Sequence, residues 1–179
     1  MTSKKNVLAI SGSTRKSSSN LNLIKAIETI ATDIFSITLF DSLLEIPPFN
    51  PDEDTDAPPA AITRFRKQLK EADGILICTP EYAMGIPGTL KNAIDWTVSS
   101  MEFSNKPVAL ITASSVGQKG HTALLETLKI IEARMLDSTQ LLIPFIKTKV
   151  SADCKITDES TLQEVQKLVA SFSLLMNEA

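Results

Sequence analysis

Val7-Leu8-Ala9-Ile10-Ser11-Gly12-Ser13 contains the apolar run and the polar ending that decide the fold. Four consecutive apolar residues favour a strand that is buried on both faces, as the strands of parallel sheets are. An amphipathic helix is predicted next by apolar residues at helical spacing, namely Leu23, Ile24, Ile27, Ile30 and Ala31. The chain therefore begins with a buried strand that leads through a polar loop into a helix.

The same alternation continues to the end of the chain. Further strands are predicted at residues 34–40, 75–78, 108–111 and 140–143, and further helices at 62–72, 90–96, 124–135 and 162–176. Five prolines in residues 41–59 predict a surface loop there. Strand–helix alternation requires parallel pairing through right-handed crossovers. We therefore predict an α/β fold, a flavodoxin-like three-layer sandwich whose five-stranded parallel sheet has the order 2-1-3-4-5.

Composition limits the class of protein. A length of 179 residues suits one domain, and a net charge of −3 offers no basic face for nucleic acid. No run of 18 apolar residues suggests a membrane span, and the N-terminus lacks the apolar stretch of a signal peptide. We expect a single domain over residues 1–179 that is cytoplasmic and binds neither nucleic acid nor membrane.

Cysteine and histidine give no sign of a metal or redox centre. Cys78 lies in an apolar run and is interpreted as a small buried hydrophobic residue, with no motif linking it to Cys154. His121 is the only histidine and has no Cys or His at ligand spacing. We therefore predict no metal site.

A long polar loop follows the first predicted strand, with the sequence Ser11-Gly12-Ser13-Thr14-Arg15-Lys16-Ser17-Ser18-Ser19-Asn20. Free N–H groups and the helix dipole favour an anion where such a loop enters a helix. Arg15 adds a forked cationic donor suited to phosphate. Ser19 or Asn20 alone would be an ordinary helix cap, but the whole polar run favours an anion site. Neither Gly-x-Gly-x-x-Gly nor Gly-Lys-Ser/Thr is present, which disfavours a dinucleotide fold and excludes a P-loop.

A second informative loop follows the third predicted strand, from Thr79 to Trp96. Pro80 stiffens the exit from the strand, and we expect the backbone N–H groups of residues 81–83 to be available to a planar ring that carries carbonyls and ring nitrogens. Tyr82 offers a flat apolar surface. Later in this stretch, Leu90, Ile94 and Trp96 are interpreted as core or interface residues. Lys91 and Asp95, four residues apart, are interpreted as a surface ion pair.

Together the two loops resemble those of the NADPH-dependent FMN reductase family, which includes azo-dye, quinone and chromate reductases. The first loop is similar in Gly12-Ser13-x-Arg15-x-x-Ser18-x-Asn20. The second is similar in Pro80-Glu81-Tyr82 and in Pro87-Gly88-x-Leu90-Lys91-Asn92-Ala93-x-Asp95-Trp96. The predicted order of strands extends the resemblance over nearly the whole chain.

The resemblance implies that the domain binds FMN. The FMN phosphate would be held by residues of the first loop, namely Ser13, Arg15, Ser18, Ser19 and Asn20. The isoalloxazine ring would be lined by Pro80, Glu81, Tyr82 and Ala83, and its other edge by Ser114, Ser115 and Gly117. Two departures are visible, because many members carry Asn at the position of Ala83 and a Gly pair at Ala113-Ser114.

The implied reaction is hydride transfer from NADPH or NADH to FMN, followed by electron transfer to a small acceptor. The residues leave open a quinone, an azo compound, a metal oxyanion or free flavin as that acceptor, and FMN itself as prosthetic group or substrate. No catalytic side chain is predicted, since the flavin carries the chemistry. A flavodoxin-type electron carrier and a flavin-free binding module remain alternatives. The resemblance also implies a homodimer or homotetramer with the third helix at its interface.

Overall fold

The computed structural model describes residues 4–178, in which strands and helices alternate. In chain order they are β1 Lys5–Ser11, α1 Ser19–Ile30, β2 Phe35–Phe40, α2 Ala60–Glu71, β3 Gly74–Thr79, α3 Gly88–Asp95, β4 Val108–Ala113, α4 Gln118–Ile130, β5 Gln140–Ile143 and α5 Glu159–Asn177. The strands pair in parallel in the order β2-β1-β3-β4-β5. The predicted flavodoxin-like α/β fold and its strand order are confirmed.

Both faces of the sheet are covered, which explains why the central strands are apolar throughout. Every residue of β3 and β4 is buried. On one face, alternate strand residues such as Val7 and Leu76 pack against α1 and α5. On the other face, residues such as Leu8 and Ile75 pack against α2, α3 and α4. Because fully burying one such side chain stabilises the fold by about 1.5–3 kcal/mol, these two clusters fix the sheet between its helices.

The proline-rich segment after β2 lies largely exposed, as predicted, and part of it packs against α3. It contains two short 3₁₀ helices, Leu43–Glu45 and Pro51–Glu53. The carbonyl oxygen of Pro47 accepts hydrogen bonds from Asn92 Nδ2 at 2.8 Å and from Trp96 Nε1 at 2.9 Å. Trp96 is fully buried, which confirms its interpretation as a core residue.

Two details of the helices test the sequence predictions. The prediction that the fourth helix extends to Met135 is wrong, because α4 ends at Ile130 and the chain turns through Glu132 at a φ of 61°. The exposed pair on α3 is confirmed, with Lys91 Nζ lying 2.5 Å from Asp95 Oδ1. Among the described residues, no helix has the length and apolar character needed to cross a bilayer.

Candidate active site

A cavity of about 650 Å³ opens at the carboxyl ends of the strands. Ligands of doubly wound sheets bind at this edge, near the point where the strand order reverses between β1 and β3. The cavity is lined by all the residues predicted for cofactor binding except Ala83 and Gly117, namely Ser13, Arg15, Ser18, Ser19, Asn20, Pro80, Glu81, Tyr82, Ser114 and Ser115. The fold therefore brings the two motif loops to one site.

The loop after β1 lies tightly against the end of β3. Gly12 N–H donates to Cys78 O at 2.9 Å, and a Cβ on Gly12 would lie only 2.2 Å from Thr79 Oγ1. Only glycine allows this approach. The loop then enters α1 through Ser18, whose Oγ accepts from Asn20 N–H at 3.2 Å. The N-cap of α1 is therefore Ser18, and neither Ser19 nor Asn20 caps the helix.

The cap leaves this end of the cavity suited to an anion. A serine hydroxyl that accepts one bond still has a proton to donate. The first N–H groups of α1 have no partners within the helix, and the helix dipole adds partial positive charge there. Arg15 is exposed at the same wall. The donors therefore match a phosphate monoester.

Asn20 has a different role from the one expected. Its side chain is buried, with Nδ2 donating to Ala113 O at 3.1 Å and Oδ1 accepting from Cys78 Sγ at 3.3 Å. These bonds tie the start of α1 to the ends of β3 and β4, which leaves the side-chain amide engaged within the protein. The Asn20 side chain thus positions the start of α1, and its contact with the FMN phosphate stays a prediction.

Cys78 and His121 are buried near the site, and both are neutral at physiological pH. Burial raises the pKa of the Cys78 thiol well above its usual range, so the thiol stays protonated and donates to Asn20. His121 Nδ1 lies 2.9 Å from Thr112 Oγ1, and burial lowers the pKa of this imidazole. The interpretation of Cys78 as a small buried residue is confirmed.

The loop after β3 is a tight turn with left-handed backbone. Tyr82 N–H donates to Gly85 O, and Gly85 N–H donates to Tyr82 O, both at 2.9 Å. The two residues between them, Ala83 and Met84, have φ values of 49° and 62°. Both values fit a type I′ turn, which normally uses Asn or Gly. The turn leaves the Tyr82 ring 51% exposed at the cavity.

This turn corrects the expectation that three successive N–H groups face a ligand ring. Glu81 N–H donates to Ser114 Oγ at 3.2 Å, and Tyr82 N–H is used by Gly85. Within residues 4–178, Ala83 N–H is the one of the three without a hydrogen bond. A ring at this loop would therefore meet one backbone donor instead of three.

The Glu81 carboxylate fastens this loop to α4. Glu81 Oε2 accepts from Gly120 N–H at 2.6 Å, in the first turn of the helix. The N-cap residue, Gly117, has no side chain to cap the helix and has a φ of 94°. Glu81 supplies the missing acceptor, and its negative charge is favourable at the helix N-terminus. We call this contact the Glu81–Gly120 latch.

A fourth wall of the cavity was not predicted from the sequence. It is formed after β5 by Phe145, Ile146, Lys147, Thr148, Val150 and Ala152, and Ser17 and Asn22 also line the cavity. We call residues 145–152 the β5 strap. Asn22 Nδ2 donates to Ser151 O at 3.1 Å and so ties the strap to α1. The predicted topology could have indicated this wall: β5 is parallel to the other strands, so the residues that follow it lie at the same edge of the sheet.

Charge in the cavity is distributed unequally. The lining residues include two cations, Arg15 and Lys147, and one acid, Glu81, whose carboxylate is bonded to α4. Within residues 4–178 there is no group of three or more His, Cys, Asp or Glu residues placed to hold a metal. The volume is typical of small-molecule sites, which span about 300–1,000 Å³. The cavity fits an anionic cofactor with a flat ring.

The fold and this cavity define a flavodoxin-like protein whose cavity at the switch point is lined by hydrogen-bond donors and two cations. Comparison with known proteins makes the assignment specific. The family model described as NADPH-dependent FMN reductase matches residues 5–148. The chain therefore belongs to the NADPH-dependent FMN reductase family. The sequence-based prediction of a flavin oxidoreductase that uses FMN and NAD(P)H is confirmed.

Individual relatives agree with this assignment. The chain is 33% identical over 174 residues to an NAD(P)H-dependent FMN reductase of Pseudomonas aeruginosa, covering 94% of this chain and 93% of that protein. It is 30% identical over 180 residues to a quinone reductase of Escherichia coli K12, covering 96% of this chain and 95% of that protein. The solved structure of FerB, a flavoenzyme NAD(P)H:(acceptor) oxidoreductase from Paracoccus denitrificans, matches with a TM-score of 0.87 at 28% identity, covering 97% of this chain and 98% of that chain.

Proposed function

We propose that this protein holds FMN in the cavity and uses NAD(P)H to reduce a small quinone. In the overall reaction, NAD(P)H and one proton supply two electrons and two protons, and the products are NAD(P)⁺ and the hydroquinone. Bound FMN would supply the hydride-accepting and electron-donating chemistry. The single observation that carries the proposal is the cavity itself, which combines an end lined by Arg15 and the start of α1 with an exposed aromatic side chain, Tyr82.

The proposed residue roles follow from position in the cavity. Arg15, the hydroxyls of Ser13 and Ser18, and the first N–H groups of α1 would bind the phosphate, with Lys147 as a second cation. A phosphate monoester carries close to two negative charges, which two cations offset better than one. Ser19 lies in the same wall and would add a further donor.

The ring end would be formed by the loops after β3 and β4. Pro80, Tyr82, Ser114 and Ser115 line this part of the cavity, and Ala83 would contribute its free N–H from the turn. A donor aimed at the ring would stabilise the negative charge that develops there on reduction. Gly117 acts indirectly, since its left-handed backbone begins α4 behind this loop.

A quinone is favoured among the acceptors because Tyr82 leaves a flat apolar surface open at the cavity. Aromatic side chains bind planar rings through offset or edge contacts, which a compact metal oxyanion cannot use. Relatives named as quinone reductases are consistent with this choice. We further propose a single domain over residues 1–179, a cytoplasmic location and a homodimer or homotetramer. Light scattering of the purified protein tests the last of these.

An anaerobic visible titration tests the proposed function. We expect flavin bands that stay with the protein through gel filtration, bleach on addition of NADPH and return when a benzoquinone is added. Bound flavin that NADPH leaves oxidised would instead indicate an electron carrier. Failure to bind FMN after reconstitution would contradict the cofactor assignment, and reduced flavin that benzoquinone cannot reoxidise would contradict the acceptor.

A further inference from the structure

Phe145 is a second exposed aromatic residue at the cavity. It begins the β5 strap, lines the cavity and is 64% exposed. Phenylalanine is among the residues most often buried, and five other phenylalanines of this chain lie in the core, namely Phe35, Phe40, Phe65, Phe103 and Phe172. A ring left open at a ligand cavity is therefore a feature that packing does not explain.

The backbone of Phe145 is held in an unfavourable conformation. Its φ of 56° and ψ of 37° lie in the left-handed region, where bulky side chains are rare. Phe145 N–H donates to Ser115 O at 3.2 Å, and Phe145 O accepts from Thr148 N–H at 3.0 Å. Ile146 N–H also donates to Ser114 O at 3.1 Å. These bonds fix the residue between the loop after β4 and the 3₁₀ helix Ile146–Thr148.

Conformations of this kind persist where the surrounding structure over-determines them, and they concentrate at ligand sites. Here the hydrogen bonds that fix the left-handed backbone of Phe145 also keep its ring at the cavity. Tyr82 lines the same cavity from the loop after β3, while Ser114 and Ser115 line it from the loop after β4. The cavity thus has one exposed aromatic ring on the loop after β3 and another on the loop after β5. The loop after β4, which lies between them in the sheet order, contributes only small serine side chains.

We propose that Phe145 determines specificity by contacting the ring of a planar aromatic electron acceptor. The inference rests on the proposed quinone reductase function and extends it to one residue. The contact adds affinity only for acceptors with a flat apolar ring, because stacked and edge-to-face geometries need such a partner. Acceptors without a ring gain nothing from Phe145.

The test compares the FMN-loaded wild type with Phe145→Ala and Phe145→Leu. Steady-state kinetics would use 1,4-benzoquinone and, in parallel, ferricyanide, which has no ring to stack. Calorimetry with 1,4-dimethoxybenzene, a planar ring that cannot be reduced, gives a readout that does not depend on turnover. Ile130→Ala is the matched control, because Ile130 is 83% exposed on α4 and is not among the residues that line the cavity.

We expect Phe145→Ala to raise KM for benzoquinone by about five- to tenfold and to weaken dimethoxybenzene binding similarly. The Leu variant should lie between, since it keeps apolar area without an aromatic ring. The KM for ferricyanide, the rate at which NADPH reduces bound FMN, and the FMN dissociation constant should not change. Unchanged benzoquinone KM and dimethoxybenzene binding would overturn the inference.

Other outcomes are also decisive. If Phe145→Ala weakens FMN itself, Phe145 contacts the cofactor and the inference is wrong. If it slows ferricyanide as much as benzoquinone, the ring does not select acceptors. If the wild type binds FMN but is not reoxidised by benzoquinone, the proposed function fails before Phe145 is tested, which separates the two failures.

Discussion

Ala83 occupies a backbone conformation that its side chain disfavours. At a φ of 49° it is the first central residue of the turn between Tyr82 and Gly85, and Met84 follows in the same region. A non-glycine residue pays about 1–2 kcal/mol in left-handed backbone, while Asn is tolerated better because its side chain bonds locally. The turn therefore reduces the stability of the loop that would contact the flavin ring.

We predict that Ala83→Asn raises the free energy of unfolding by about 0.5–1 kcal/mol, measured by urea denaturation of the flavin-free protein. Ala83→Val is the opposing control, because a β-branched side chain fits positive φ poorly and should lower that free energy. Ala83 is exposed, so neither change disturbs core packing. Equal stability of the Asn and Val variants would refute the role assigned to backbone conformation.

Arg15 and Lys147 are predicted to act on the phosphate alone. Arg15→Ala should weaken FMN binding at least about tenfold, since a hydrogen bond to a charged group contributes about 1.5–3 kcal/mol. Lys147→Ala should weaken it about two- to fivefold, because an exposed lysine is screened by water and salt. Fluorescence titration with FMN and with riboflavin, which lacks the phosphate, measures both. A loss of riboflavin affinity as large as that of FMN would place these residues elsewhere.

At the scale of elements, the Glu81–Gly120 latch joins the loop after β3 to α4. Gly120 is tightly enclosed, since a Cβ there would lie 2.9 Å from Gly85 O and 3.1 Å from Glu81 Cγ. The same loop is held to β4 through Ser114 Oγ, which accepts from Glu81 N–H. Glu81 is thus a positioning residue for the ring end of the cavity.

We predict that Glu81→Ala weakens FMN and riboflavin by the same factor, about tenfold, because it loosens the ring end and leaves the phosphate end intact. Glu81→Gln keeps an acceptor for Gly120 N–H without the charge and should fall between. The flavin absorption spectrum and midpoint potential should also shift, which loss of stability alone would not cause. A defect confined to FMN would show that Glu81 acts at the phosphate instead.

Sequence patterns could predict the strands and the first loop because each depends on neighbouring residues. The β3 residues form one continuous apolar run, and the polar loop after β1 leads directly into a helix. The turn at Ala83 could not be predicted, since neither central residue is a usual turn residue. The latch and the β5 strap could not be predicted either, because they join segments far apart in sequence, as Glu81 and Gly120 are.

At the scale of the whole molecule, His121 links stability to pH. It is the only histidine, and burial lowers its pKa in the folded protein below the ordinary value of about 6.5. As pH falls below about 6.5, the unfolded chain takes up a proton that the folded chain does not. The free energy of unfolding must then decrease, because acidification favours the state that binds more protons.

We therefore predict that stability is constant from pH 8 to 7 and declines between about pH 6.5 and 5, before most carboxylates titrate. His121→Gln keeps a polar side chain opposite Thr112 and should remove this slope. Urea denaturation at half-unit pH steps measures the effect. A slope of the same size in the Gln variant would assign the pH dependence to other groups.

The Glu81–Gly120 latch also makes the two ends of the cavity differ in charge. The helix after each parallel strand begins at this edge of the sheet, and the first residues of α1 line the cavity. The start of α4 is already faced by the Glu81 carboxylate, whereas α1 leaves its positive end open to the cavity. A ligand with an anionic tail and a neutral head is therefore favoured in one orientation, since reversing it would bring two negative groups together. Because α4 takes its capping carboxylate from Glu81, the two ends of the cavity differ in charge, and that difference favours one orientation of such a ligand.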